Sequence, residues 1–285
     1  MNTNLPIGIF DSGVGGLTVY RALHERLPAE RFIYLGDTAR VPYGTKSLAT
    51  VERYAVENAQ FLASRGIKML VVACNTASAL ALPAIRAALD VEVIGVIEPG
   101  ARAAVEAVGT DATIGVIATE ATVQSGAYTK AIKQSAPAAQ VVETACPLFV
   151  SLAEEGWSDS PEARSIAGNY LATIRERSVQ ALVLGCTHYP ILRNVIQDAV
   201  GDEVLLIDSG EAAAADVAAY LSLARLENDL DERGATERQL CDDLDHFFVT
   251  DAAARFARVA ERFLGTAPSV LEAVEIWGQD ELRAT

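Results

Sequence analysis

Short runs of β-branched residues recur along this chain, each followed by a longer Ala- and Leu-rich stretch at helical spacing, and the later runs repeat the earlier ones. Ile7-Gly8-Ile9-Phe10 is answered 107 residues on by Ile114-Gly115-Val116-Ile117. Leu70-Val71-Val72-Ala73-Cys74-Asn75-Thr76 is answered after 112 by Leu182-Val183-Leu184-Gly185-Cys186-Thr187-His188, and Ile97-Glu98-Pro99-Gly100 after 110 by Ile207-Asp208-Ser209-Gly210. A single match could arise between any two α/β segments of this composition. Three in order, at a nearly constant offset, predict two similar halves. Strand patterns alternating with helical ones give the α/β class, because parallel strands need a crossover, usually a helix, to follow one another in a sheet.

The expected fold is two similar α/β domains with mainly parallel sheets, related by pseudo-twofold symmetry, with the active site in the cleft between them. The predicted strands are Ile7–Phe10, Phe32–Leu35, Met69–Ala73, Val93–Ile97, Thr113–Ile117, Val141–Thr144, Ala181–Leu184 and Val204–Ile207. An Ala-rich helix over Glu211–Leu226, an acidic stretch over Glu227–Glu232, a strand over Phe247–Thr250 and a helix to about Leu264 follow, without a counterpart in the second half. This tail is assigned to the first domain, giving 1–97 plus 209–285 for one domain and 98–208 for the other. The acidic stretch is read as a solvated loop or helix face.

Composition narrows the function. Of 285 residues, 38 are Asp or Glu and 23 Lys or Arg, a net charge of −15 that repels nucleic-acid backbones and anionic membrane surfaces. With 51% apolar and 21% charged residues the chain is globular. It shows no secretory leader pattern and no membrane span, so a cytoplasmic protein is expected, with no membrane and no direct nucleic-acid partner. Cys74, Cys146, Cys186 and Cys241 form no CxxC pattern, which predicts free thiols and no zinc site. Lys46, Lys68, Lys130 and Lys133 fit no Schiff-base motif, so no pyridoxal cofactor is expected.

The matched pair Cys74 and Cys186 is the strongest chemical signal. Each thiol follows an apolar strand and precedes a polar helix start, where the helix dipole is expected to lower its pKa. Either cysteine alone could be a small apolar filler. Two thiols facing one ligand from equivalent positions suit proton removal on one face of a stereocentre and proton return on the other. Asn75, Thr76, Thr187 and His188 stand beside them; these could be ordinary N-caps or, for His188, a core histidine, and the same helix ends offer free N–H groups to a carboxylate. The turn Asp11-Ser12-Gly13-Val14-Gly15-Gly16 has the look of an anion cradle. Thr18 stands where a dinucleotide fingerprint needs Gly or Ala, although Asp37 lies about where a ribose acid would.

Taken together these motifs resemble the glutamate racemases, the cofactor-independent members of the aspartate/glutamate racemase superfamily. The resemblance runs through Ile9–Thr18, Gly36-Asp37-Thr38-Ala39-Arg40-Val41-Pro42-Tyr43-Gly44, Ala73–Ser78, Gly115–Thr119 with Thr122, Ser125 and Tyr128, Cys146–Val150 leading to Glu154, and Gly185–Pro190. Ser151, where the family often has Pro, is a departure.

The resemblance implies a two-base interconversion of L- and D-glutamate that supplies D-glutamate for peptidoglycan, with no cofactor and no metal. It implies that Cys74 deprotonates D-glutamate with help from Asp11, and that Cys186 deprotonates L-glutamate with help from Glu154 and His188. Asp11, Ser12, Pro42, Tyr43, Gly44, Cys74, Asn75, Thr76, Thr119, Cys186, Thr187 and His188 would contact the substrate. A homodimer is implied too. The alternative among enzymes is a racemase for aspartate or another acidic amino acid, with Pro42-Tyr43-Gly44 and Thr119 setting side-chain length. From another class comes a protein that binds and inhibits DNA gyrase on the same fold; the presence of both cysteines favours catalysis.

Overall fold

The structure, a computed structural model, describes residues 2–228 and 238–276. The acidic stretch predicted over Glu227–Glu232 lies, from residue 229 onward, outside the described residues. Among the described residues, ten strands form two all-parallel sheets. The first contains β1 (Ile7–Asp11), β2 (Phe32–Gly36), β3 (Met69–Val72), β4 (Glu92–Gly95), β9 (His246–Val249) and β10 (Leu271–Ala273), in the order β10-β9-β2-β1-β3-β4. The second contains β5 (Thr113–Ala118), β6 (Gln140–Ala145), β7 (Ala181–Gly185) and β8 (Leu205–Asp208), in the order β6-β5-β7-β8.

The repeat read from the sequence is therefore a repeat of topology: β2-β1-β3-β4 in one sheet corresponds strand for strand to β6-β5-β7-β8 in the other. Central strands β1, β3 and β7 are buried along their whole length, whereas β6, β8 and β10 at the sheet edges are partly open. That is why the central strands read as continuous apolar runs. The predicted strand Val93–Ile97 ends earlier, at Gly95, because Ile97 already opens the helix Ile97–Val108. The predicted helix Glu211–Leu226 starts two residues sooner, at Ser209, where the carboxylate of Asp208 caps the N–H groups of Gly210 and Glu211. Strand β10 is not legible in the sequence: three residues, one half-buried and two exposed, carry too little periodicity.

Helices cover both faces of each sheet. One apolar cluster, including Leu17, Tyr20, Phe247 and Phe256 beside β1 and β9 and Phe149, Leu184 and Val217 beside β7, continues from the first sheet to the second. Two further clusters fill the outer faces, one under the helix Leu48–Ser64 and one under Ile97–Val108 and Ala127–Ser135. Lys68, fully buried, pairs with Glu30 and donates to the carbonyls of Thr3 and Leu226, so its role is to pin the N-terminal segment. Among the described residues no helix is long and apolar enough to cross a membrane.

The two halves also share a packing device. A Cβ on Gly8 in β1 would sit 2.8 Å from Ile67 Cδ1 and 3.4 Å from Leu70, and one on Gly115 in β5 would sit 2.8 Å from Leu182 Cδ1 and 3.0 Å from Val179. Ile67 and Leu70 are the sequence counterparts of Val179 and Leu182. The glycines are thus kept by close packing on the next strand. Gly8→Val and Gly115→Val are each expected to destabilise the protein by about 1–3 kcal/mol, the usual cost of overpacking a filled core. Urea unfolding of the two variants checks this, with similar losses expected at both sites.

Candidate active site

The carboxyl ends of both sheets meet at one cavity of about 250 Å3. This is where open α/β sheets bind ligands, and the volume suits a small metabolite. The first sheet contributes Ser12 after β1, Pro42, Tyr43 and Gly44 from the loop after β2, and Cys74, Asn75 and Thr76 after β3. The second contributes Thr119 after β5 and Cys186, Thr187 and His188 after β7. Asp11 and Glu154 stand behind this wall, Asp11 beside Ser12 and Glu154 behind His188. The wall also holds Val41, Thr45, Glu120, Pro147, Val150 and Ser151, which the sequence motifs do not assign to it. Their only signal is position, beside or within the motifs already singled out.

The two cysteines occupy equivalent places in the two sheets and line the same cavity. Cys74 is itself the N-cap of the helix Asn75–Leu80: its backbone is extended and its sulfur accepts the N–H of Ala77 at 3.5 Å. Asn75 and Thr76 are consequently not caps. They are the first helical residues, and with no intrahelical acceptor for their N–H groups they leave two donors at the helix end. Their side chains are used elsewhere. Asn75 Oδ1 accepts from the Tyr128 hydroxyl at 2.7 Å, and Thr76 Oγ1 lies 3.0 Å from Thr119 Oγ1 and 3.2 Å from Thr122 Oγ1.

The glycine-rich turn joins the two sheets. A Cβ on Gly15 would collide with Thr187 Oγ1 and the His188 ring, and one on Gly16 would come within 2.5 Å of the Asp11 side chain. Thr18, where the dinucleotide fingerprint fails, donates to the carbonyl of Thr187 at 2.8 Å. Glycine is thus needed for close approach of the opposite strand end. Asp37 is likewise no ribose acid. Its buried carboxylate receives Arg40 Nε at 2.8 Å, Asn58 Nδ2 at 3.2 Å, Thr250 Oγ1 at 3.0 Å and the Tyr43 hydroxyl, and so fixes the loop that carries Pro42, Tyr43 and Gly44.

Electrostatics make the two sides of the cavity unlike. Cys186 Sγ lies 3.8 Å from His188 Nδ1, His188 Nε2 lies 3.1 Å from Glu154 Oε1, and Arg255 donates to Glu154 Oε2 at 3.1 Å. Burial works against a charged imidazole, but hydrogen bonds to Cys186 and Glu154 outweigh it and raise the His188 pKa to about 10. The shift favours the charged form of the ring. Glu154 moves the other way: burial opposes its charge, yet His188 and then Arg255 hold it below the usual carboxylate range.

Around Cys74 the outcome is reversed. Burial, and after it the negative charge of Asp11, push its thiol up to about 12 against the Ala77 N–H and the Ser12 hydroxyl 3.6 Å away. The lowering expected from the helix end is thus overturned, because one N–H does not offset desolvation and a neighbouring carboxylate. Asp11 is itself raised by burial, in part relieved by His188 and by the N–H groups of Gly13 and Gly16, and it accepts from Thr187 Oγ1 at 3.5 Å. Cys146 is buried outside the cavity wall, with its thiol 3.7 Å from the carbonyl of Thr144. Among the described residues, no lysine or arginine stands in the wall. An anion there meets neutral N–H, hydroxyl and amide donors together with the His188 cation. Among the described residues no group of three or more His, Cys, Asp or Glu side chains is placed to hold a metal ion.

Residues 7–217 match the family described as Asp/Glu/hydantoin racemase. The chain is 54% identical over 259 residues to a glutamate racemase of Geobacter metallireducens, covering 91% of this chain and 92% of that one. It is similar to the crystal structure of glutamate racemase from Francisella tularensis in complex with D-glutamate, with a TM-score of 0.87, 39% identity, and coverage of 96% of this chain and 98% of that one. It is similar also to the glutamate racemase of Thermus thermophilus in complex with β-chloro-D-alanine, with a TM-score of 0.85, 43% identity, and coverage of 97% and 99%.

The His188–Glu154 pair sets a pH window. The folded pKa of His188 lies above its ordinary value of about 6.5, so the stability it lends is fully present below that value and is lost as pH rises through about 10. Glu154 is depressed, so its share is present above the usual carboxylate range and is lost as pH falls through the lowered value. Glu154→Gln is expected to lower the His188 pKa by about one to three units, as removal of an adjacent opposite charge does. An NMR titration of the His188 ring in both proteins measures the difference.

Proposed function

The chain belongs to the Asp/Glu/hydantoin racemase family, and we propose that it interconverts L- and D-glutamate by a two-base, cofactor-independent mechanism in which Cys74 and Cys186 act on opposite faces of the α-carbon. One observation carries this reading: two free thiols at equivalent strand ends of two repeated sheets share a single small cavity.

In the L-to-D direction Cys186, as a thiolate beside the His188 imidazolium, takes the α-proton. The electron pair left on the α-carbon spreads into the α-carboxylate, where the N–H groups of Asn75 and Thr76 and the hydroxyls around them meet the developing charge. Donors fixed in advance in a site that excludes water are worth far more than the same donors in water. The Cys74 thiol then delivers its proton to the opposite face. Cys74 ends as thiolate and Cys186 as thiol, and the D-to-L reaction runs the same steps backwards, with Asp11 assisting Cys74 and Glu154 steadying His188. The Cys74 thiol pushed up to about 12 and the raised His188 pKa beside Cys186 support this assignment of acid and base.

Ser12, Pro42, Tyr43, Gly44, Asn75, Thr76, Thr119 and Thr187 are proposed to hold the substrate. The proposed division of the chain is 1–97 with 209–285 as one domain and 98–208 as the other, with the cavity between them. The enzyme is proposed to work in the cytoplasm as a homodimer that supplies D-glutamate for peptidoglycan.

Circular dichroism of L-glutamate with the purified protein, a chelator present and no pyridoxal phosphate added, tests the activity. Decay of the signal to zero is expected; decay only after pyridoxal phosphate is added would overturn the mechanism. Cys74→Ala and Cys186→Ala are each expected to lose at least about 10²- to 10⁴-fold in turnover with the fold intact, the worth of a positioned acid or base. In heavy water, D-glutamate formed early from L-glutamate should carry deuterium at the α-carbon while the remaining L-glutamate carries little. Mass spectrometry reads this, and unlabelled product would point to one base serving both faces.

A further inference from the structure

Tyr128 lies outside the cavity wall, on the helix Ala127–Ser135 that covers the second sheet, and it is completely buried. Its ring is wedged over two glycines: a Cβ on Gly185 would come within 2.9 Å of it and one on Gly100 within 3.5 Å. The hydroxyl is thus held in place, and burial raises the phenol pKa, so it keeps its proton. It donates to Asn75 Oδ1 at 2.7 Å, reaching from the second sheet's layer to the strand end of the first.

An amide has two halves, and this contact engages only one. Asn75 is 3% exposed and lines the cavity, and its Nδ2 finds no hydrogen-bond partner among the described residues. Buried donors are rarely left unpaired, so an orphaned one at a cavity wall marks a place where a ligand completes the set. Without Tyr128 the two ends of the amide would be equivalent choices. With it, the acceptor is committed to the phenol.

We propose that Tyr128 is a positioning residue for the reaction: its hydroxyl fixes the Asn75 amide with Nδ2 turned to the cavity, as a donor to a carboxylate of the bound amino acid. This rests on the glutamate racemase reading and adds to it a residue that never touches the substrate. Ser209 also hydrogen-bonds the phenol but does not line the cavity, so the hydroxyl reaches the substrate through Asn75, and its effect belongs in substrate binding and vanishes when the amide is absent.

The test compares Tyr128→Phe, Asn75→Ala, the double variant and Asn75→Asp, with L- and D-glutamate as substrates. Tyr128→Phe keeps the wedge over the glycines and removes only the hydroxyl. It is expected to raise KM about three- to tenfold in both directions, the worth of one hydrogen bond, with kcat within about twofold of wild type. Adding it to Asn75→Ala should change KM by less than about twofold, the non-additivity of two groups acting as one. Asn75→Asp, which lets Tyr128 donate to one oxygen while the other faces the cavity as an anion, should raise KM more than Asn75→Ala does. An unchanged KM in Tyr128→Phe, or an equal rise in the Asn75→Ala background, would overturn the inference. If Tyr128→Phe does not fold, the order of the two Asn75 variants decides it, and Asn75→Asp binding as well as Asn75→Ala would sink it. A wild-type protein that does not racemise glutamate would overturn the functional reading itself, and this inference with it.

Discussion

Everything at the cavity depends on how closely the first strand end of one sheet can approach the third strand end of the other. Gly15 stands against Thr187 and His188 with no room for a Cβ, and Thr18 ties the same segment down through the carbonyl of Thr187. This contact brings Asp11 to Thr187 and puts two sulfurs at one cavity. The apolar cluster that continues from sheet to sheet beneath it supplies the driving force, while the glycines set the distance.

Repetition gives the two thiols equivalent places, and the surroundings then make them different. Cys74 looks out past a carboxylate and is held as a thiol; Cys186 faces an imidazolium backed by Glu154 and Arg255. The proposed exchange of one proton in and another out needs such a difference, because it requires one sulfur to carry a proton while the other does not. Neutral donors suit the same purpose. A lysine or arginine in the wall would bind the substrate carboxylates strongly at every stage, whereas N–H groups and hydroxyls respond to charge as it builds up.

Much of this is legible in the amino-acid sequence alone. The offsets from Ile7 to Ile114 and from Cys74 to Cys186 contain the matching strand orders, because buried central strands must be apolar along their length and their ends must be polar. The quoted motifs likewise hold Ser12, Tyr43, Thr76, Thr119 and His188, all of which line the cavity. What the sequence withholds depends on burial and on distant partners. The helix end alone predicts a lowered Cys74 pKa, but desolvation and Asp11 decide it. Asp37 has a ribose acid's place along the chain, and only the fold gathers Arg40, Asn58 and Thr250 around it. Nothing in local spacing could link Tyr128 to Asn75, which meet only after two sheets have docked.

The matching strand orders carry a consequence for ancestry. Two copies of a half-length chain, docked about a true twofold axis, would already have placed one thiol on each side of a shared cleft, but every neighbour of one sulfur would have been copied beside the other. Two halves within one chain are free of that obligation. Asp11 corresponds to Ala118 in the repeat and His188 to Thr76, so each sulfur has companions the other lacks. A single chain thus does more than hold two halves together: it lets the surroundings of each sulfur differ.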